Sequence, residues 1–158
     1  MLVEVAVPIQ ATAPAVWALI ADIDKAAALV QGIDRIEVLQ RPAAGLVGLK
    51  WRETRQLFGK AASVDKWITA ATEEQFYATR AESDGFVFLS TLRIEAGGDG
   101  VLLRSIHDSQ PQTLGAKIMA LPMGLFFKGV ARKALLADLH DIRAAAEAPA
   151  AAQSTPRS

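Results

Sequence analysis

The stretch GLKWRETRQLFG, Gly48 to Gly59, sets four charged residues between two apolar ends. Side chains along a strand alternate between faces. Leu49, Trp51, Glu53, Arg55 and Leu57 then share one face, while Lys50, Arg52, Thr54, Gln56 and Phe58 share the other. The second set is nearly all polar and belongs to solvent, so the first is expected to point inward. An inward glutamate and arginine are tolerable where they border a wet hollow rather than a dry core. The stretch therefore asks for a sheet with one covered face and a cavity on that side.

The flanking segments supply the sheet and its cover. Val3, Val5, Val7 and Ile9 alternate with smaller or more polar neighbours, which predicts a half-buried strand over 2–10. Thr12 is placed to cap a helix whose Val16, Leu19, Ile20 and Ile23 recur at helical spacing, with Pro14 in the tolerant first turn. A second short helical piece, Lys25 to Val30, is expected to end at Gly32. Strands follow at IDRIEVL, Leu46–Phe58, about 60–69, 74–82, 86–95 and 101–110. Their short separators, ATEE, SDG and GGDG, read as hairpin connections of an antiparallel meander.

After Thr113 the chain turns helical again. Ala131, Leu135, Leu139, Ile142 and Ala146 form one apolar stripe, and Pro122 is expected to break or kink the earlier part. The class is α+β: a curved antiparallel sheet wrapped around a long C-terminal helix, with two short helices after the first strand. Residues 1–147 make one domain, and the low-complexity tail 148–158 is expected to be disordered.

Composition narrows the chemistry. The 158 residues carry 17 basic and 17 acidic side chains, two histidines and no cysteine. A neutral chain has no general attraction for phosphate backbones, which argues against a nucleic-acid partner. The missing cysteine excludes disulfides and thiolate chemistry and fits a reducing compartment. No segment is apolar and long enough for an integral membrane span, and Glu4 sits too early for a secretory leader, so a cytoplasmic location is expected. Neither histidine stands in a metal-ligand spacing, so no metal and no other cofactor is expected.

Four stretches in the expected order carry a resemblance to a known group. ATAPAVWALIADID (11–24), VGLKWRETR (47–55), EAGGDGVLL (95–103) and GVARKALLADLHDIRAAAE (129–147) resemble the START-like, or SRPBCC, superfamily, and especially its polyketide cyclase/dehydratase-type bacterial members. The resemblance implies the helix-grip fold around a ligand cavity. KAAALVQG replaces the proline and aromatic that relatives often carry after the first helix, and Gly100-Val101 replaces their Gly-Thr. The superfamily spans cyclases, lipid and sterol carriers, hormone receptors and chaperone activators, so the fold does not choose among them.

Candidate residues follow from the strand phases. Trp51, Glu53 and Arg55 share the inward face, and Phe88, Ser90 and Leu92 share a face that can oppose them. Glu53 could serve as a general base or as one half of a structural pair with Arg55. SIHDS (105–109) is not a triad, since alternation sends Asp108 away from Ser105, His107 and Ser109. The strand of His107 is apolar on both phases at its start, which leaves its direction open; inward, it is the best proton carrier at neutral pH. Arg80 is likewise open, and His140 reads as a surface residue. Trp17, Trp51, Trp67, Phe86 and Phe88 serve either a ligand cage or core packing. The leading expectation is a binder of a hydrophobic small molecule (a polyketide, lipid, quinone or aromatic metabolite), with Trp51, Glu53, Arg55, Phe88, Ser90 and His107 at its site. The alternatives are a polyketide cyclase or dehydratase using Glu53 or His107, and a protein-interaction module with a vestigial cavity.

Overall fold

Each hydrophobic pattern finds its counterpart in the computed structural model, which describes residues 1–149. Strand β1 (Leu2–Ile9) leads into α1 (Ala13–Ile20), a single 3-10 turn (Ile23–Lys25) and α2 (Ala26–Leu29). Six further strands follow: β2 (Ile33–Gln40), β3 (Lys50–Leu57), β4 (Lys60–Thr72), β5 (Phe76–Ser83), β6 (Phe86–Gly97) and β7 (Gly100–Pro111). Helix α3, Leu114–Ala146, closes the chain. The seven strands form one antiparallel sheet in the order β1-β7-β6-β5-β4-β3-β2. A meander from β2 to β7 is thus completed by β1 returning beside β7.

The caps follow local chemistry. The Thr12 hydroxyl accepts from the Ala15 N–H, and the Thr113 hydroxyl accepts from the Ala116 N–H, each satisfying a donor the helix start leaves free. Two hairpins are two-residue turns with both central φ angles positive: Phe58 and Gly59 at +51° and +78°, Asp84 and Gly85 at +52° and +80°. Gly48, at φ +94°, ends a bend that delays β3 to Lys50, four residues after the start the sequence suggested. Strand β4 runs on to Thr72 through a register shift between Ile68 and Ala70, three residues beyond expectation.

One face of the sheet holds the core. Val5, Val7 and Ile9 of β1, Trp51 of β3, Ile68 of β4, Ile94 of β6 and Leu103 of β7 cluster with Val16 and Ile20 of α1 and with Leu139 and Ile142 of α3. Leu135 packs at the margin of this cluster, so the predicted apolar stripe is the buried stripe. The opposite face carries ion pairs: Arg52 with Asp65, Arg80 with Glu82, and Arg104 with Glu4 and Glu95. Arg80 therefore belongs to the wet face. Helix α3 bends by 85° between Leu114–Leu121 and Gly124–Ala146, where Pro122 supplies no N–H to the helical ladder. Glu147, just past the helix, accepts from the backbone N–H of Gln10, and most of the expected disordered tail lies outside the described residues.

Candidate functional site

Strand register builds the inward face as cross-strand rows. Trp51 stands opposite Lys66, Lys66 opposite Ala81, Ala81 opposite Phe88, and Phe88 opposite Ser109. The next row runs Ile68, Thr79, Ser90, His107 and Val3. Trp51, Glu53, Arg55, Phe88, Ser90 and His107 all lie on this face. It is the face covered by α1 and the C-terminal half of α3.

The ion pair of β3 is the centre of a five-residue network. Glu53 is 5% exposed, and one carboxylate oxygen accepts from Arg55 Nε at 2.7 Å and from Lys66 Nζ at 3.0 Å. Its other oxygen accepts from the Trp51 indole N–H at 3.3 Å. Arg55 in turn donates from both terminal nitrogens to Asp138 of α3, at 3.2 and 2.9 Å. Burial alone would raise the Glu53 pKa, but the charges and hydrogen bonds of Lys66 and Arg55 outweigh it and hold the carboxyl at about 2. Burial works against the charge on Arg55 as well, and Asp138 and Glu53 overcome it and raise its pKa. A carboxylate with three donors and so low a pKa has little tendency to take a proton. Glu53 is thus built as a structural anion, which weighs against the general-base role weighed for it from sequence.

His107 sits at the other side of the same face. Its Nδ1 is 2.8 Å from the Ser90 hydroxyl and its Nε2 is 3.2 Å from the Ser109 hydroxyl. Phe88 stacks on the ring at 5.9 Å between centroids, and Phe86 stacks on Phe88 at 5.9 Å. Burial, followed by the positive charge of Lys66, lowers the His107 pKa, with Asp108 pulling the other way. The neutral ring has one donor and one acceptor nitrogen, so one serine donates to it and the other accepts.

Exposure divides this face into two zones. Where α1 and the end of α3 lie on the sheet, Leu103 and Leu139 are closed off from solvent. Phe86, Phe88, Ser90, His107, Ser109, Arg55 and Lys66 face the same way yet remain half-buried. Inward side chains keep this partial exposure only if the space beside them is open. Trp51, at 3% exposure, lies behind this zone rather than in it.

Two clefts elsewhere differ in character. One of about 170 Å³ is lined by Arg35, Glu37, Arg52, Thr54 and Ser63 on the outer face. The other, about 810 Å³, opens at the sheet end between Gln10–Ala13 and Glu95–Val101. Neither includes Glu53 or Arg55, contrary to the expectation that the pair borders cleft volume. Trp67 also departs from the cage reading, since it lies on the outer face with the Lys50 ammonium 5.6 Å from its ring centre. His140 is exposed, as expected.

Sequence reading missed Lys66, Asp138, Tyr77 and Gly32. Lys66 alternates in phase with Ile68, and Asp138 falls between Leu135 and Ile142 on the apolar stripe, so both signals were present. Tyr77 is buried, meets Trp17 edge-on at 6.3 Å, and has its hydroxyl pKa pushed up by burial and by the negative charges of Glu53 and Asp138. A Cβ on Gly32 would come within 3.0 Å of the Arg55 guanidinium, so glycine gives the pair its room. Among the described residues no group of three or more His, Asp or Glu is placed to hold a metal ion. Among the described residues no single helix is long and apolar enough to cross a membrane.

A seven-stranded antiparallel sheet gripping a long C-terminal helix defines the helix-grip, START-like class. Residues 2–147 match the family model described as polyketide cyclase / dehydrase and lipid transport, and the chain belongs to that family. Solved structures share the fold at low identity. A START superfamily protein from Mycobacterium smegmatis matches with TM-score 0.76 and 17% identity over 92% of this chain and 97% of that one. The ZhuI aromatase/cyclase from Streptomyces sp. R1128 matches with TM-score 0.76 and 18% identity over 93% of each chain. The protein TTHA0849 from Thermus thermophilus matches with TM-score 0.78 and 15% identity over 98% of this chain and all of the other. No curated protein matches the chain in sequence.

Proposed function

We propose that the protein binds a hydrophobic small molecule of the polyketide, lipid, quinone or aromatic-metabolite kind on its inward face. The observation that carries this reading is the half-buried state of Phe86, Phe88, Ser90 and His107 on the face that holds the core. The stacked rings of Phe86, Phe88 and His107 offer a flat apolar wall. Ser90, Ser109 and the neutral imidazole offer a few placed polar groups, the mixture that small-molecule sites use. Arg55 and Lys66 border the zone with charge already engaged by Glu53 and Asp138. They shape its rim and hold β3 to α3 and to β4. The cysteine-free composition suits a reducing compartment, and we place the protein in the cytoplasm.

A second reading has one observation in its favour. His107 is inward, kept neutral by burial, and bridged between two hydroxyls, which is the state a proton carrier needs at neutral pH. A cyclase or dehydratase of this architecture would work through His107 and not through Glu53. Native mass spectrometry of protein purified from its own cell, with extraction of what copurifies, tests the binding reading. A stoichiometric apolar adduct, weakened about tenfold in affinity by Phe88→Ala, is expected. An empty protein that also fails to take up apolar probes would favour the interaction-module alternative.

A further inference from the structure

The first half of α3 presents an apolar surface that the described chain leaves open. Ile118, Leu121 and Leu125 are 60%, 83% and 90% exposed. Phe126 is also exposed and stacks on Phe58 at the tip of the β3–β4 hairpin, with ring centroids 6.4 Å apart. Leu57 stands exposed beside it. Two elements remote in sequence thus build one continuous patch. Phe58 holds its place at φ +51°, a backbone state that a bulky residue adopts only at a cost. Asparagine or glycine would make the same turn without strain, so the turn's geometry does not account for the exposed ring.

Charge says what the patch faces. Residues 109–137 contain Lys117, Lys128, Arg132 and Lys133 and no acidic residue at all. The chain as a whole is neutral, so the remainder carries four more acidic than basic residues. All four cations are exposed, interspersed with the apolar side chains. A second copy of the chain docked here about a two-fold axis would set these cations against their own kind. An apolar face whose own stretch of chain carries basic residues and no acid matches an anionic lipid surface, with the rings and leucines below the headgroups and the lysines at phosphate level.

We propose that residues 114–133 and the β3–β4 hairpin tip form a docking face for anionic bilayers, on which the protein lies without crossing. The test is flotation of the full chain with vesicles of phosphatidylcholine alone and of equal parts phosphatidylcholine and phosphatidylglycerol. Binding is expected with the anionic vesicles, reduced at high salt and weak with the neutral ones. Leu125→Ser and Phe126→Ser, both at exposed positions, should abolish most of it. Lys117→Gln and Lys128→Gln should each weaken it about fivefold. Binding that ignores these substitutions, or is equal for both vesicles, overturns the proposal. So does a vesicle-inert protein that dimerises in solution through Leu125 and Phe126, which would assign the face to a second copy.

Discussion

Arg55 of β3 and Asp138 of α3 meet in a two-pronged ion pair, with both terminal guanidinium nitrogens on the two carboxylate oxygens at 3.2 and 2.9 Å. The pair fixes the closing helix at the β3 side of the sheet, while apolar packing of Leu139 and Ile142 fixes it over the core. Fork-to-fork geometry adds direction to the attraction, because a planar guanidinium fits a carboxylate in one orientation. Asp138→Asn keeps the shape and removes the charge, leaving Arg55 part-buried with Glu53 alone. Urea unfolding should show a loss of about 2–3 kcal/mol, and the double variant with Arg55→Ala should lose less than the sum of the two single losses. Fully additive losses would mean that the two residues act independently.

The acid limb of stability belongs partly to Glu53. Its pKa falls from 4.5 to about 2 on folding, so the unfolded chain binds the proton more readily. The stabilisation is complete above about pH 4.5 and is lost as pH drops towards 2. It is worth on the order of 3 kcal/mol. Glu53→Gln should lower stability at pH 7 and flatten that limb of a stability–pH curve. An unchanged slope between those values would mean that folding does not lower the Glu53 pKa.

His107 acts in a higher window with the same sign. Its folded pKa lies below the ordinary 6.5, so stability is complete above about pH 6.5 and declines as pH falls through the lower folded value. His107→Gln should remove this decline while leaving the Glu53 limb intact. Proton titration of the His107 ring by NMR gives the shift directly, and a value above 6.5 would contradict it.

Leu139, at 1% exposure, tests the grip itself. Leu139→Ala should cost about 2–5 kcal/mol by removing buried methyl groups and leaving a void. Leu125→Ala, at the exposed end of the same helix, should change stability by less than about 0.5 kcal/mol. Comparable losses at the two positions would mean that the helix packs differently.

Much of this was legible because a strand has period two. Fixing Lys50, Arg52, Thr54 and Gln56 as solvent residues placed Trp51, Glu53 and Arg55 inward. His107 was not legible, since Leu102 and Ile106 on one phase and Val101 and Leu103 on the other are equally apolar. Its direction is set by pairing with Ser90 and Val3, which is a tertiary fact. Arg80 resolves outward for the same kind of reason: Tyr77, Thr79 and Ala81 take the inner phase and leave it beside Glu82. The late start of β3 reflects Gly48, whose positive φ turns the chain just before the strand, while the Gly48 N–H and the Leu49 carbonyl still bond to the Ile68 backbone of β4. Asp138 escaped notice because a lone acid on an apolar stripe reads as a flank residue until its arginine is seen.

The binding site we propose is the open zone beside Phe88, Ser90 and His107. Amide chemical-shift mapping during titration with the apolar probe 1-anilinonaphthalene-8-sulfonate tests it most directly. Saturable shifts at one-to-one stoichiometry, concentrated on residues 86–90 and 105–109 and on Arg55, are the predicted result. Shifts confined to the cleft at Gln10–Ala13 or to the exposed residues 114–130, with the β6 and β7 amides unmoved, would contradict it.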